Sequence, residues 1–155
     1  MATTLKRNDI LKGRVSALNR VDAVEATDTP TFSGVTCTGA TAGVGYATGA
    51  GGAVTQITNR STGVTLSTVC GAITTDTTSL AAGAAASFTV TNTAVAVTDT
   101  VVVSIRSGAT TNQTNVRVTT VAAGSFAITV ENNHASTAET GAIIINFAVI
   151  KGVAA

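Results

Sequence analysis

Apolar and polar residues alternate with a period of two along much of the chain after Thr31, which is the pattern of half-buried β-strands. In FTVTN, residues 88–92, the two apolar residues point to one face and the threonines to the other. The same alternation predicts strands in VVVSIR at 101–106, NVRVTTV at 115–121 and FAITVEN at 126–132. The segment AIIINFAVI at 142–150 is apolar on both faces, so we predict a central or interface strand there.

Residues that favour tight turns punctuate this part of the chain. They are Gly71, Gly83, Ser107-Gly108, Gly124 and Asn132-Asn133. Glycine and asparagine suit such positions because they tolerate backbone conformations that other residues avoid. Several short strands with turns at this spacing predict an all-β module over residues 31–155, folded as an antiparallel β-sandwich or barrel.

The first thirty residues follow a helical spacing instead. Five apolar residues recur there at intervals of three and four, which predicts one stripe on an amphipathic helix: Leu11, Val15, Leu18, Val21 and Val24. Thr29-Pro30 ends the pattern, because the residue before a proline is pushed out of the helical region. We therefore predict a short helical or extended arm over residues 1–30. Its stripe could pack on the module, form a coiled coil with sister chains, or lie on a partner.

Charged residues are concentrated in this arm. Nine of the seventeen lie in the first 28 positions, and only eight lie in the remaining 127. A surface with so few ionic groups tends to associate. The chain also has one tyrosine, four phenylalanines and no tryptophan, so its core buries less large aromatic surface than an ordinary core. Both features predict an obligate oligomer.

The composition also argues against several classes of protein. Nine basic and eight acidic residues leave no basic stripe that would indicate nucleic-acid binding. No stretch approaches the roughly 18 apolar residues that a membrane helix needs. The N-terminal residues lack the apolar core of a signal peptide, so we expect the chain to mature in a cytoplasm. Cys37 and Cys70 are then expected to be reduced, packed thiols, with a disulfide between them as the less favoured alternative.

A glycine cluster, GVGYATGAGG at 43–52, resembles a phosphate-binding loop at first sight. A dinucleotide-binding loop needs the third glycine one residue earlier and a helix after it, and a Walker loop needs a lysine beside Ser or Thr. The segment that follows, AVTQIT, has strand character instead, and no lysine is near. We interpret the cluster as a passage where the backbone bends or approaches another chain segment closely, with Tyr46 as its anchor.

The residues that could carry metal or nucleophilic chemistry stand apart in the sequence. His134 is the only histidine and lies in the polar segment ENNHAST, so we interpret it as a solvated loop residue rather than a catalytic base. Cys37 and Cys70 are 33 positions apart and lack the paired spacing of a zinc site. We predict neither a metal nor a cofactor.

The carboxylates and arginines of the module suggest no active site either. Glu131 and Glu139 flank a loop with nothing to fix their separation, and Asp76 and Asp99 each lie beside threonine in a predicted turn. The module has three arginines, Arg60, Arg106 and Arg117, which we predict to be surface or subunit-interface residues. The sequence therefore predicts no catalytic residues and a protein that is not an enzyme.

Several phrases nevertheless point to one family. The segment GVGYATGAGGAVTQITNRSTGVTLS, followed by AASFTVTN, TDTVVVSI, VAAGSFAITVEN and INFAVIKG, resembles a β-rich module of structural proteins in tailed bacteriophages. The resemblance covers about residues 43 to 152. It implies a non-enzymatic virion component, expected to be a homotrimer, in a capsid-surface or a fibre role.

Within that family, a compact module without long shaft repeats is more similar to a capsid decoration, or cement, protein than to a fibre. We therefore expect the chain to bind the major capsid protein on the outside of the assembled shell and to stabilise it. We expect six residues at capsid or subunit interfaces: Leu11, Val15, Leu18, Val21, Tyr46 and Phe147. The alternatives are a tail or head fibre with a receptor-binding tip and, from another class, a small hydrolase of host glycan.

Overall fold

The computed structural model describes residues 40–41, 43–110 and 113–153. The chain divides into two compact units, Met1–Val44 and Gly45–Ala155, and the strands within the described residues all belong to the second. The predicted arm and its helix lie outside the described residues, as do Leu11, Val15, Leu18 and Val21, and so does Cys37.

The described residues of the second unit form eight strands, and no helix occurs in the part of the chain that the structure describes, so the all-β prediction is confirmed. The strands are β1 Gly51–Thr55, β2 Val64–Thr65, β3 Cys70–Thr74, β4 Ala85–Thr91, β5 Thr100–Ser107, β6 Thr114–Ala122, β7 Ser125–Asn132 and β8 Ile144–Ile150. The last five coincide with the five segments in which alternation or a continuous apolar run predicted a strand.

The strands form two four-stranded sheets. The first sheet has the order β1-β3-β8-β5, and the second has the order β2-β4-β7-β6. Each keeps two edge strands, so the fold is a β-sandwich rather than a closed barrel. β8 lies between β3 and β5, which confirms the prediction of a central strand at 142–150.

Apolar side chains from the inner faces of both sheets form one core. The first sheet contributes Ile73, Val101, Ile145, Phe147 and Val149, and the second contributes Val64, Phe88, Val90, Phe126, Ile128 and Val130. Phe126 and Phe147 pack with their ring centroids 5.3 Å apart and their planes tilted by 54°. Phe147, which the sequence suggested as an interface residue, is thus covered by its own chain.

Both sheets are mixed rather than purely antiparallel. β1 pairs with β3 in parallel, and β2 pairs with β4 in parallel, whereas the other four strand pairs are antiparallel. The reason is the path of the chain. It leaves the first sheet after β1, forms β2 in the second sheet, and then returns to the first sheet to form β3. Each parallel pair is therefore formed by strands that are not consecutive in the chain.

The predicted turn at Gly71 is wrong, since Gly71 lies inside β3. A Cβ atom there would lie 2.8 Å from the Gly52 carbonyl oxygen, 2.9 Å from Leu66 Cδ2 and 2.9 Å from Phe147 Cε1. The glycine therefore serves close packing within the sandwich, not a reversal of the chain. Gly83, Gly108 and Gly124 lie in turns or bends as predicted, each with a positive φ.

Candidate interaction surface

The outward side of the first sheet carries no charged side chain at its paired positions. Strand register places fourteen residues there: Gly51, Ala53, Thr55, Cys70, Ala72, Thr74, Thr100, Val102, Ser104, Ser107, Ile144, Asn146, Ala148 and Ile150. Eight of them are Gly, Ala, Cys, Val or Ile, and the other six are neutral polar residues. We refer to this set as the apolar face.

Small and large residues occupy different halves of the apolar face. On the β1 and β3 half, Gly51 pairs with Cys70 and Ala53 pairs with Ala72. On the β8 and β5 half, Val102 lies opposite Ala148 and diagonal to Ile150. Val102 is 49 % exposed and Ile150 is 57 % exposed. We refer to Val102 and Ile150 as the ridge, and to the β1 and β3 half, which includes Gly51, Ala53, Cys70 and Ala72, as the small-residue strip.

The outward side of the second sheet differs in chemistry. Its paired positions include seven hydroxyl residues: Thr65, Ser87, Thr89, Thr91, Thr120, Ser125 and Thr129. The hydroxyls of Ser87 and Thr129 hydrogen-bond each other at 2.7 Å, and Arg117 forms an ion pair with Glu131. We refer to this set, with Arg117 and Glu131, as the hydroxyl face. A hydroxyl-rich, partly ionic surface of this kind gains little from being covered.

The glycine cluster leads directly into the first sheet. The strand predicted after it is β1, so the cluster precedes a strand and not the helix that a dinucleotide loop requires. Residues 43–49 are exposed, and the Tyr46 hydroxyl donates a hydrogen bond to the Val149 carbonyl at the end of β8. Tyr46 remains half exposed near the end of β8.

Arg60 overturns the prediction that all three module arginines lie on the surface. Arg106 and Arg117 are exposed, but Arg60 is only 3 % exposed. Its Nε donates to the Thr78 carbonyl at 2.6 Å, and its Nη1 donates to Thr75 Oγ1 at 3.1 Å. Its Nη2 donates to the carbonyls of Glu139 at 3.3 Å and Gly141 at 2.7 Å. Burial lowers the pKa of the Arg60 guanidinium, and the negative charges of Glu139 and Asp76 raise it by a smaller amount.

Glu139 forms the other half of this buried polar cluster. Its Oε2 accepts hydrogen bonds from the Thr110 amide at 2.8 Å and the Thr114 hydroxyl at 2.7 Å, and its Oε1 accepts one from the Gly141 amide at 3.1 Å. Burial raises the pKa of this carboxyl, but the hydrogen bonds outweigh burial and lower the pKa to about 2. The cluster therefore joins the segment around Arg60 to loops far along the chain.

The remaining candidate residues are also engaged in local structure. Asp99 accepts hydrogen bonds from the amides of Ala96 and Gly152 and pairs with Lys151, which lowers its pKa to about 2. His134 Nδ1 accepts hydrogen bonds from the amides of Ser136 and Thr137 in its loop. Glu131 is on the hydroxyl face, whereas Glu139 is in the buried cluster, so the two carboxylates serve different structures.

A shallow pocket of about 320 Å³ opens beside the buried cluster. It is lined by Asn59, Arg60, Ser61, Thr78, Ser79, Leu80, Ala85 and Ala86. Within residues 40–41, 43–110 and 113–153, no group of three or more His, Cys, Asp or Glu side chains could hold a metal ion. In the same ranges, no helix is long and apolar enough to cross a membrane. Cys70 forms no disulfide in the described structure.

The two low carboxyl pKa values predict acid sensitivity. The ordinary values are 4.5 for Glu139 and 3.8 for Asp99, so the unfolded chain binds protons before the folded one does as the pH falls. The stabilisation from these groups is fully present above about pH 4.5 and is lost between there and about pH 2. Urea unfolding at a series of pH values should show this decline, and Glu139→Gln should make it shallower. Identical slopes for the two proteins would contradict the assignment to Glu139.

Sequence reasoning missed the buried cluster and the apolar face for different reasons. The partners of Arg60 include Glu139 and Gly141, which are 79 and 81 positions away and give no local signal. The apolar face is assembled by register from short segments rich in Ala and Gly.

Comparisons of the chain with protein-family models, curated proteins and solved structures give no match.

Proposed function

We propose that this chain is a non-enzymatic structural protein of a tailed-bacteriophage virion, and that it binds the outside of the assembled capsid as a homotrimeric decoration protein. The resemblance of residues 43–152 to the phage module supports the virion role. The observation that supports an adhesive role is the contrast between the two outer surfaces of the sandwich. One is largely apolar and uncharged at its paired positions, and the other is rich in hydroxyl groups and carries an ion pair.

The mechanism is adhesion through buried surface rather than chemistry. Each square ångström of apolar surface removed from water contributes about 25 cal/mol before ordering costs are subtracted. The sandwich supplies such surface on the apolar face, where the side chains of Val102 and Ile150 are about half exposed to solvent in the single chain. The arm of residues 1–30, with its predicted apolar stripe, contacts the major capsid protein or a neighbouring trimer and so links capsomers.

Deletion of residues 2–28 is the first functional prediction. The shortened chain should keep its β-rich circular dichroism and its unfolding midpoint, but it should no longer bind capsids. A finer variant replaces Leu11, Val15, Leu18 and Val21 with serine, and its matched control replaces Ser16 and Asn19 with alanine. We expect capsid occupancy to be lost in the first and retained in the second. Unchanged occupancy after the deletion would refute this role for the arm.

The location of the protein in the virion separates the proposal from its rivals. Electron cryomicroscopy of virions of the phage that encodes the chain should show added density at lattice points of the shell. Density that projects from the tail or from a head vertex would instead support a fibre and contradict decoration. Release of sugars from host envelope by the purified chain would support the hydrolase.

A further inference from the structure

The apolar face is broad and has two large apolar side chains exposed on it, Val102 and Ile150. Four strands about 4.8 Å apart and about six residues long, at about 3.3 Å per residue, give it a flat area of about 400 Å². The largest apolar patch on a soluble monomer usually covers about 300–600 Å² and is often functional, so a largely apolar face of this area is a candidate interaction site. Its partner is not the opposite sheet of the same chain, which packs on the inner side.

We propose that the apolar face binds a second copy of this chain, with the ridge of one copy seated on the small-residue strip of the next. The inference rests on the proposed function for the number of copies, but self-association itself is measured without capsids. The apolar face is then the surface through which the sandwich of one copy contacts the sandwich of the next.

Charge is the first reason to choose a second copy as the occupant. None of the fourteen face residues is ionic, and Arg106, exposed at the irregularity of β5 beside Ser107, is the one charged residue in the four strands of this sheet. Bringing two such faces together therefore opposes and buries little charge, and an acidic or basic partner would find only this single charged group in the sheet. An uncharged face is complementary to itself in electrostatic terms, whereas the hydroxyl face would bury the Arg117–Glu131 pair.

Shape is the second reason. Val102 and Ile150 rise from the β5 and β8 half, while Gly51, Ala53 and Ala72 leave the β1 half low. Sheets that pack face to face interdigitate large and small side chains at a spacing of about 10 Å. Because ridge and strip lie on opposite halves, the ridge of one copy can meet the strip of the next, and such a contact repeats around a closed ring.

Two more exposed apolar residues lie in the loops next to Thr100 and Ile150, which pair at one end of β5 and β8. Val97 and Val153 are both largely exposed, and the Thr98 hydroxyl donates to the Gly152 carbonyl at 3.1 Å, which holds their two loops side by side. A standard interface takes about 800 Å² from each partner. The flat face supplies about half of this, so we expect Val97 and Val153 to contribute to the contact as well.

Val102→Lys in the full-length chain tests this inference. It places an ammonium group on the ridge, where the partner copy would have to desolvate it, and should raise the dissociation constant by about a hundredfold. Val102 is exposed in the single chain, so folding should be unaffected. Thr89→Lys makes the matched change at an exposed strand position of the hydroxyl face. Light-scattering mass across a broad concentration range should fall to one chain for Val102→Lys and stay at the wild-type value for Thr89→Lys.

Cys70 provides a second readout, because it lies in the small-residue strip. In a Cys37→Ser background, maleimide should label Cys70 slowly in the associated protein and faster after dilution or in Val102→Lys. A monomeric wild-type chain, or an oligomer in which Val102→Lys changes neither mass nor labelling, would overturn the inference. A dimer that Val102→Lys dissociates would support it while contradicting the homotrimer. Capsid occupancy of the arm variants is a separate measurement, so the two failures are distinguishable.

Discussion

Replacing Arg60 with methionine is expected to lower the free energy of unfolding by about 3–5 kcal/mol. Methionine fills the apolar part of the site but has no donor, so three carbonyls inside the protein lose a hydrogen bond, namely those of Thr78, Glu139 and Gly141. The ionised Glu139 carboxylate also loses a favourable electrostatic interaction. Denaturant unfolding of the full-length chain, followed by circular dichroism, measures the change.

Arg117→Met is the matched control for this prediction. Arg117 pairs with Glu131 on the hydroxyl face, and its side chain is half exposed. An exposed ion pair contributes about 0–1 kcal/mol, because water and salt screen it. Equal losses of stability in the two variants would mean that the Arg60 hydrogen bonds add nothing beyond an ordinary surface pair.

Gly108→Ala should be nearly as harmful, with an expected loss of about 2–5 kcal/mol. Gly108 has a φ of +85°, which costs an L-residue about 1–2 kcal/mol. In addition, the new Cβ would lie 2.0 Å from the Ala142 carbonyl oxygen and 3.0 Å from the Ala142 carbonyl carbon. These are backbone atoms, so the clash cannot be relieved by turning a side chain, and the segments that end β5 and precede β8 must separate.

Gly124→Ala measures the backbone cost without the clash. Gly124 has a similar φ of +78° in the turn between β6 and β7, but nothing lies within 4 Å of a Cβ placed there. We expect this variant to lose only the backbone cost of about 1–2 kcal/mol. The difference between the two unfolding free energies then measures the clash. If Gly124→Ala proved as destabilising as Gly108→Ala, the close approach to Ala142 would have no energetic consequence.

The long strands could be predicted because their signal is local. In β4 the burial alternates at every residue from Ala85 to Thr91, which is what a period of two in the sequence implies. β8 reads as apolar on both faces because its inner face lies in the core and its outer face belongs to the apolar face. The sequence thus indicated that β8 is central, although not what covers its outer side.

The early strands left no comparable signal. β2 has two residues, which is too short to show any period, and β1 and β3 contain glycines that read as turns or loops. Gly71 illustrates the ambiguity, because a glycine required for close packing and a glycine required for a turn are identical in sequence. The parallel pairings of β1 with β3 and β2 with β4 were equally hidden, since alternation does not encode strand direction.

The sequence by itself determined an all-β module, a sandwich or a barrel, with a weakly charged body, because periodicity and composition are properties of neighbouring residues. Only the tertiary structure decided that Arg60 is buried, because its burial depends on carbonyl groups from loops that the chain brings back after about eighty residues. The apolar face was decided there too. Gly51, Cys70, Ala148 and Val102 come from four strands, and strand register alone places them side by side.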